Sequence, residues 1–322
     1  MDILITEDLS APALTRLGER FAISRQPALW KDTAALEMAI QPARALVIRN
    51  QTQVTAELLA GAPRLLAIGR VGVGLDNIDV AAATKLGIVV IAPLDANAVS
   101  VAELTFGLVL ALARKLCPAD RSTKAGAWDR KTFTGTEIQG KTIGLCGLGR
   151  IGRLVALRAK AFGMTVLAFD PFVRPDSPAL KETGATLCAQ LEEMLSMADF
   201  VTVHSPLTRE TRHLFNARTL AAMKRGACFI NTSRGPIVDE AALVSALRNG
   251  QLGGAALDVR EAEPPLDQTG FEGLDNVLLT PHIGAFTVEA QTRTFEAVAS
   301  DLERVLSGEP AVHFVNRDRP SR

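Results

Sequence analysis

The sequence predicts an α/β protein made of two doubly wound parallel sheets. Three observations carry that expectation. Short apolar runs rich in β-branched residues alternate with Ala- and Leu-rich stretches almost from end to end. Many of these runs are apolar at every position, as strands covered by helices on both faces are. The length of 322 residues, at about 150 per domain, makes roughly two domains.

In chain order, a first set of strands is expected at Ile3–Thr6, Ala45–Ile48, Leu65–Ile68 and Ile88–Ile91. A second set follows at Thr142–Cys146, Thr165–Phe169, Phe200–Val203, Cys228–Ile230, Gly254–Leu257 and Val277–Leu279. Stretches long enough for crossover helices separate most of them. The segment between the sets, Ser100–Lys115, reads as a helix, with Ser100 and Glu103 at capping-box spacing. The first domain boundary is placed just before it, near Leu94. The last apolar helix, about Val288 to Leu306, follows the second set. If it packs back on the first layer, that domain is discontinuous; the pattern alone leaves this open.

Composition narrows the function. Lys+Arg and Asp+Glu are both 35, so the formal net charge is +0. That is not the basic footprint of a general nucleic-acid or anionic-membrane binder. The four cysteines (Cys117, Cys146, Cys188, Cys228) form no C-x-x-C pair. Neither a disulfide scaffold nor a zinc site is expected, and a reducing cytoplasm is. Met1–Asp8 lacks the basic and apolar regions of a signal peptide. The most apolar run, Leu104–Ala113, is too short to span a bilayer.

Lys141–Gly152 reads as a strand entering G-x-G-x-x-G and then a helix. Gly147 allows the tight turn, Gly149 lets a pyrophosphate approach the backbone, and Gly152 lets the helix pack close to the sheet. The helix N-terminus then offers bare N–H groups to the phosphates. The next predicted strand ends at Asp170, 18 residues beyond Gly152, near the spacing of the acid that holds the adenosine ribose. A carboxylate there repels a 2′-phosphate and favours NAD over NADP. This context points to a Rossmann-type dinucleotide site, against the plain readings of a glycine turn and of Asp170 as a strand-end turn residue before Pro171.

Three more segments place chemistry beyond strand ends: Arg234 in NTSRG, Glu263 in the acidic Pro-rich stretch after Asp258, and His282 in TPHIG. Ligands in open parallel sheets bind outside the carboxyl ends of strands. Each residue alone has an ordinary reading: a surface charge, a solvated loop acid, a turn residue. Together, beside a dinucleotide fold, they form a candidate site.

The ordered segments GLGRIG, FDP, HSPLT, NTSRGPIVDE, ALDV…EPP and TPHIG resemble the D-isomer-specific 2-hydroxyacid dehydrogenase family. Within it, Gly69–Asn77 and Gly126–Lys131 are most similar to the phosphoglycerate-type members. The likeness runs from about Ile3 to Val315. It implies a flavodoxin-like substrate domain at 1–94 and 287–322, an NAD-binding Rossmann domain at 95–286, and a cleft between them. It also implies a homodimer. The catalytic residues it implies are Arg234, Glu263 and His282. Cofactor contacts are implied at Val73, Gly147, Gly149, Arg150, Ile151, Gly152, Asp170, Ser205, Thr232, Ser233, Asp258, Gly284 and Ala285, with Asp258 facing the nicotinamide amide. Substrate contacts are implied at Arg49, Val71, Gly72 and Asn97. In the phosphoglycerate-type enzymes an Arg matching Arg49 helps hold the distal phosphate. The competing reading is that Arg49 binds the substrate carboxylate or a local loop.

The chemistry follows from residue types. His282 is the expected base in oxidation and acid in reduction. Glu263 orients the ring and favours its protonated form. Arg234 holds the carboxylate with a planar fork of donors, and N–H groups of Val71–Gly74 are expected to add to it. The expected substrate is 3-phosphoglycerate or a similar anionic-tailed acid. A broad-specificity enzyme of the glyoxylate–hydroxypyruvate reductase type is the alternative, and a non-catalytic NAD-sensing corepressor-like scaffold stands behind it. A different Rossmann enzyme, such as a methyltransferase, would not need the Arg, Glu and His set. The sequence also departs from the family: Val73 replaces a frequent Thr, Arg260 a common aromatic, and Phe286 a frequent Ser. No regulatory domain is read after Val315, so serine feedback through one is not expected.

Overall fold

The structure is a computed structural model that describes residues 1–265 and 270–321. The chain divides into two compact units, Met1–Asn97 with Ala285–Arg322, and Ala98–Gly284. The divisions fall within three residues of those drawn from the sequence. The helix Val288–Leu306 belongs to the first unit, which makes that unit discontinuous.

In the first unit, strands β1 (Ile3–Ile5), β2 (Ile23–Arg25), β3 (Ala45–Ile48), β4 (Ala67–Arg70) and β5 (Val89–Ile91) form one parallel sheet of order β2-β1-β3-β4-β5. This is the flavodoxin-like order. Alternate residues serve opposite faces. Ile3, Ile5 and Val47 pack with Leu14, Val298 and Leu302. Leu4, Leu46 and Ile68 pack with Ile40, Leu59 and Ala83. Both sets are buried, which is why these runs carry no polar alternation. Edge strand β2, half-exposed and three residues long, was not expected from the sequence. Strand β4 starts two residues later than expected, because Leu65 still donates to Ala62 in a turn.

In the second unit, β6 (Thr142–Cys146), β7 (Thr165–Phe169), β8 (Thr186–Leu187), β9 (Phe200–Val203), β10 (Ala227–Asn231), β11 (Leu252–Leu257) and β12 (Val277–Leu279) form a parallel sheet of order β12-β11-β10-β9-β6-β7-β8. Its first six strands follow the Rossmann order, which reverses between β6 and β9. The two-residue β8 carries too little pattern to be read from sequence. One helix start is corrected. The helix covers Ala98–Ala113, so Ser100 lies in its first turn and not at its cap. Glu103 meets Arg158 at 3.1 Å instead.

Candidate active site

Six strand ends of the second unit carry the residues singled out above. At the end of β6, Gly147 has φ +101°, and a Cβ there would stand 2.9 Å from the His204 carbonyl. A Cβ on Gly152 would stand 2.2 Å from the Gly147 oxygen, so the helix Arg150–Ala161 can start only on glycine. A Cβ built on Gly149 would meet nothing within 4 Å, and among the described residues no side chain hydrogen-bonds the start of this helix. The turn therefore leaves open space in front of uncapped N–H groups, which fits a dinucleotide pyrophosphate.

Asp170 follows β7. Its carboxylate accepts from the Leu148 N–H at 2.9 Å and the Phe172 N–H at 2.9 Å, which ties it to the glycine turn. Ser205, beyond β9, donates to the Cys146 carbonyl at 3.1 Å. Beside it, His204 bonds Thr202 Oγ1 through Nε2 at 2.7 Å, while its buried Nδ1 has no partner among the described residues. Burial pushes that imidazole down to about 3, so the ring stays neutral.

Arg234 is presented by a turn that Asn231 shapes. The fully buried Asn231 amide donates to the Arg234 carbonyl at 2.9 Å and accepts from the N–H and hydroxyl of Ser233 at 3.0 and 2.8 Å. Thr232 shares a 2.8 Å hydroxyl contact with Thr105. At Gly235 the next loop passes so close that a Cβ would lie 1.8 Å from the Arg260 oxygen. The segments bearing Arg234 and Glu263 thus pack backbone to backbone, and only glycine permits it.

Asp258, 1% exposed, ends β11 and clamps the His282 loop. Its carboxylate accepts from Thr280 Oγ1 at 2.6 Å and from the N–H groups of Ile283 and Gly284, both at 2.8 Å. Its carbonyl accepts from the His282 N–H at 2.8 Å. His282 is held at φ +55°, a region that costs a non-glycine residue about 1–2 kcal/mol. Its Nδ1 meets Glu263 Oε2 at 2.7 Å. The other Glu263 oxygen accepts from the Arg260 N–H at 2.9 Å. Among the described residues, His282 Nε2 has no partner. Burial works to raise the Glu263 pKa, but the bonds from His282 and Arg260 and the charges of His282 and Arg234 outweigh it. The carboxyl therefore sits below its usual range and stays ionised.

In the first unit, Arg49 follows β3 on a loop held by Glu7. This carboxylate, 3% exposed, accepts from the N–H groups of Arg49, Asn50, Gln51 and Thr52 at 2.9–3.2 Å. The Arg49 guanidinium lies 4.2 Å from the centre of the Phe286 ring. It has no hydrogen-bond or ion-pair partner among the described residues, and burial holds its pKa below the usual value. Val71 and Gly72 use their N–H groups on the Ile48 and Arg70 carbonyls at 2.8 and 2.9 Å. That narrows the expected loop donors to Val73 and Gly74. Asn97, 7% exposed, has a buried side-chain oxygen without a partner. Ala285 accepts from Gln291 at 2.8 Å.

Residues 106–284 match the description of the D-isomer specific 2-hydroxyacid dehydrogenase NAD-binding domain. The chain belongs to this family. It is 45% identical over 314 residues to the D-3-phosphoglycerate dehydrogenase of Methanocaldococcus jannaschii, covering 98% of this chain and 59% of that one. With the Bacillus subtilis D-3-phosphoglycerate dehydrogenase it shares 42% over 314 residues, covering 98% and 58%. It thus spans about three-fifths of the length of these curated relatives. Among solved structures, the Thermus thermophilus TT0316 protein superimposes with TM-score 0.90 at 37% identity, covering 98% of this chain and 100% of that one. The Aquifex aeolicus D-lactate dehydrogenase, solved with NAD and lactic acid, gives TM-score 0.87 at 30% identity, covering 100% of both.

Within this family framework the second unit gathers Arg234, Glu263 and His282 into one cluster. Three supporting residues escaped the sequence reading. Glu7 follows a strand end and was not singled out. Asn231 looked like the polar end of one, though an Asx turn is the signal such an Asn gives. Glu240 stood unremarked in a helix start. Asp258 was singled out, but as a cofactor contact; the structure shows it bracing the His282 loop.

Proposed function

We propose that the chain is an NAD-dependent oxidoreductase acting at C2 of a D-2-hydroxy acid, with 3-phosphoglycerate or a similarly anionic-tailed acid as substrate. The observation that carries this is the His282–Glu263 pair, oriented through Nδ1 and, among the described residues, unpartnered at Nε2. The glycine turn, the helix start at Arg150 and Asp170 would hold the dinucleotide. NAD, when bound, accepts the hydride in oxidation and returns it in reduction. The chain's own residues do the rest. His282 Nε2 takes the hydroxyl proton in oxidation and gives it back in reduction. Glu263 keeps the ring in register and balances the charge the ring gains. Arg234 grips the substrate carboxylate and draws electron density from the C2 oxygen. Arg49, half-buried and with no hydrogen-bond or ion-pair partner among the described residues, suits the distal anion.

A homodimer in the cytoplasm completes the reading. Leu116 and Trp128, 53% and 82% exposed on one segment of the second unit, suit a partner surface, and the four free thiols suit a reducing compartment. The test is NADH formation with a panel of D-2-hydroxy acids, their L-isomers and both nicotinamide cofactors. Turnover of D-acids with NAD, fastest on 3-phosphoglycerate, is the expected result. No turnover of any member would leave the NAD-sensing scaffold; preference for D-lactate would leave the broad-specificity enzyme.

A further inference from the structure

Arg260 joins the segments that carry the catalytic cluster, and it does so from four directions. Its backbone N–H donates to Glu263 Oε1 at 2.9 Å. Its carbonyl lies against Gly235, next to Arg234, closely enough to forbid any side chain there. Its guanidinium forms a fork on Glu240, Nε to Oε1 at 2.9 Å and Nη2 to Oε2 at 2.7 Å. Its guanidinium carbon lies 4.9 Å from the centre of the Phe271 ring. The two side chains are only 10% and 16% exposed.

Glu240 has a second task. Its Oε1 also accepts from the Glu261 N–H at 2.7 Å, and Glu261 in turn meets His213 Nε2 at 2.8 Å. Glu240 opens the helix Glu240–Arg248, reached from Arg234 through the short 3-10 turn Gly235–Ile237. One carboxylate therefore anchors both ends of the arrangement: the chain leaving Arg234 and the loop leading to Glu263. A bidentate pair at this burial fixes orientation as well as distance.

We propose that the Arg260–Glu240 pair is a positioning device for the reaction. Arg260 touches no reacting atom. It holds the peptide whose N–H fixes Glu263, and through Glu263 it sets the His282 ring while keeping the Arg234 segment in register. This rests on the catalytic reading of His282 and Glu263 given above.

The test uses Arg260→Met, which keeps length over Phe271 but loses the fork, together with Arg260→Lys and the double variant Arg260→Met/Glu240→Gln. In Arg260→Met we expect kcat to fall about 10-fold or more, in line with small misplacements at a reacting centre. KM and NADH affinity, read by fluorescence titration, should stay within about twofold on the same ground. The rise of oxidation rate with pH should move to lower pH, because Glu263 no longer steadies the protonated ring. Arg260→Lys should recover part of kcat, since it returns the charge without the fork. The single variant leaves Glu240 buried and unpaired, so its melting temperature should drop; the double variant removes that charge and should regain stability while kcat stays low. A wild-type kcat and pH profile in Arg260→Met, or full recovery of kcat in the double variant, overturns the proposal. His282→Ala run alongside separates the two failures, because retained turnover there removes the catalytic reading itself.

Discussion

His282 and Arg49 both stand just past strand ends, in different units, and their surroundings differ in one respect. Around His282 the orienting groups are themselves bonded: Asp258 to the loop backbone, Glu263 to both the ring and Arg260, Arg260 to Glu240. Among the described residues, Nε2 is left over. Around Arg49 the backbone is fastened by Glu7, yet among the described residues the guanidinium has no hydrogen bond or ion pair and lies against the Phe286 ring. A group that must hand over a proton at a set position gains from being locked. A cation that must select an anion gains from having no internal rival, since an existing ion pair would compete with the ligand. Under the proposed function, chemistry belongs to the second unit and selection of the substrate tail to the first.

The largest expected effect is on the locked side. His282→Ala should lower kcat by about 10²–10⁴-fold, the usual share of general acid–base catalysis, with NADH affinity retained. A loss of under about tenfold would place the proton transfer elsewhere.

Next is Asp170, which belongs to neither cluster and, under the proposed function, sets the cofactor preference. Asp170→Ala should narrow the preference for NAD over NADP by roughly 10–100-fold, the worth of charge-assisted hydrogen bonds. It should also weaken NAD binding, because Leu148 and Phe172 lose their acceptor. Equal kcat/KM for the two cofactors in the wild type would contradict the assignment.

Glu263→Gln should sharpen the comparison through pH. Glutamine has no charge to favour a protonated ring, so oxidation, which needs the ring neutral, should begin to rise at lower pH. Reduction, which needs it protonated, should fall off at lower pH too. The same carboxyl has a stability sign: its folded pKa lies below the usual range, so its contribution is full above that range. It is lost as pH falls through the folded value. Acid titration of the melting temperature, compared with Glu263→Gln, reads it.

The smallest effect is on the anchor of the open side. Glu7→Gln replaces a buried acceptor of four N–H groups and should reduce stability by about 1–3 kcal/mol. Discrimination between substrates should blur while kcat on short acids holds. Unchanged stability would mean that the loop does not need the charge.

Much of this was legible in the sequence, for identifiable reasons. Strands such as Thr142–Cys146 and Thr165–Phe169 are buried on both faces, so unbroken apolar runs mark them. Strands Ile23–Arg25 and Thr186–Leu187 sit at sheet edges and are too short to show a pattern. Ser100 and Glu103 matched a cap because the same spacing also fits the first turn of a helix that starts at Ala98. Arg234, Glu263 and His282 stood out because strand ends of a parallel sheet collect ligands. Glu7 and Glu240 did not, because their partners lie about 42–45 and 20–21 residues away in sequence, and backbone N–H groups leave no trace in composition.

One series tests the division of labour most directly: kcat/KM for 3-phosphoglycerate and D-lactate, followed by NADH formation, in wild type, His282→Ala and Arg49→Ala. The account predicts that the wild type prefers 3-phosphoglycerate and that His282→Ala loses both activities in proportion. Arg49→Ala should lose about 10–100-fold on 3-phosphoglycerate, as for one hydrogen-bonded charge, and keep its rate on D-lactate. Equal losses on both substrates in Arg49→Ala, or a wild type that prefers D-lactate, would contradict it.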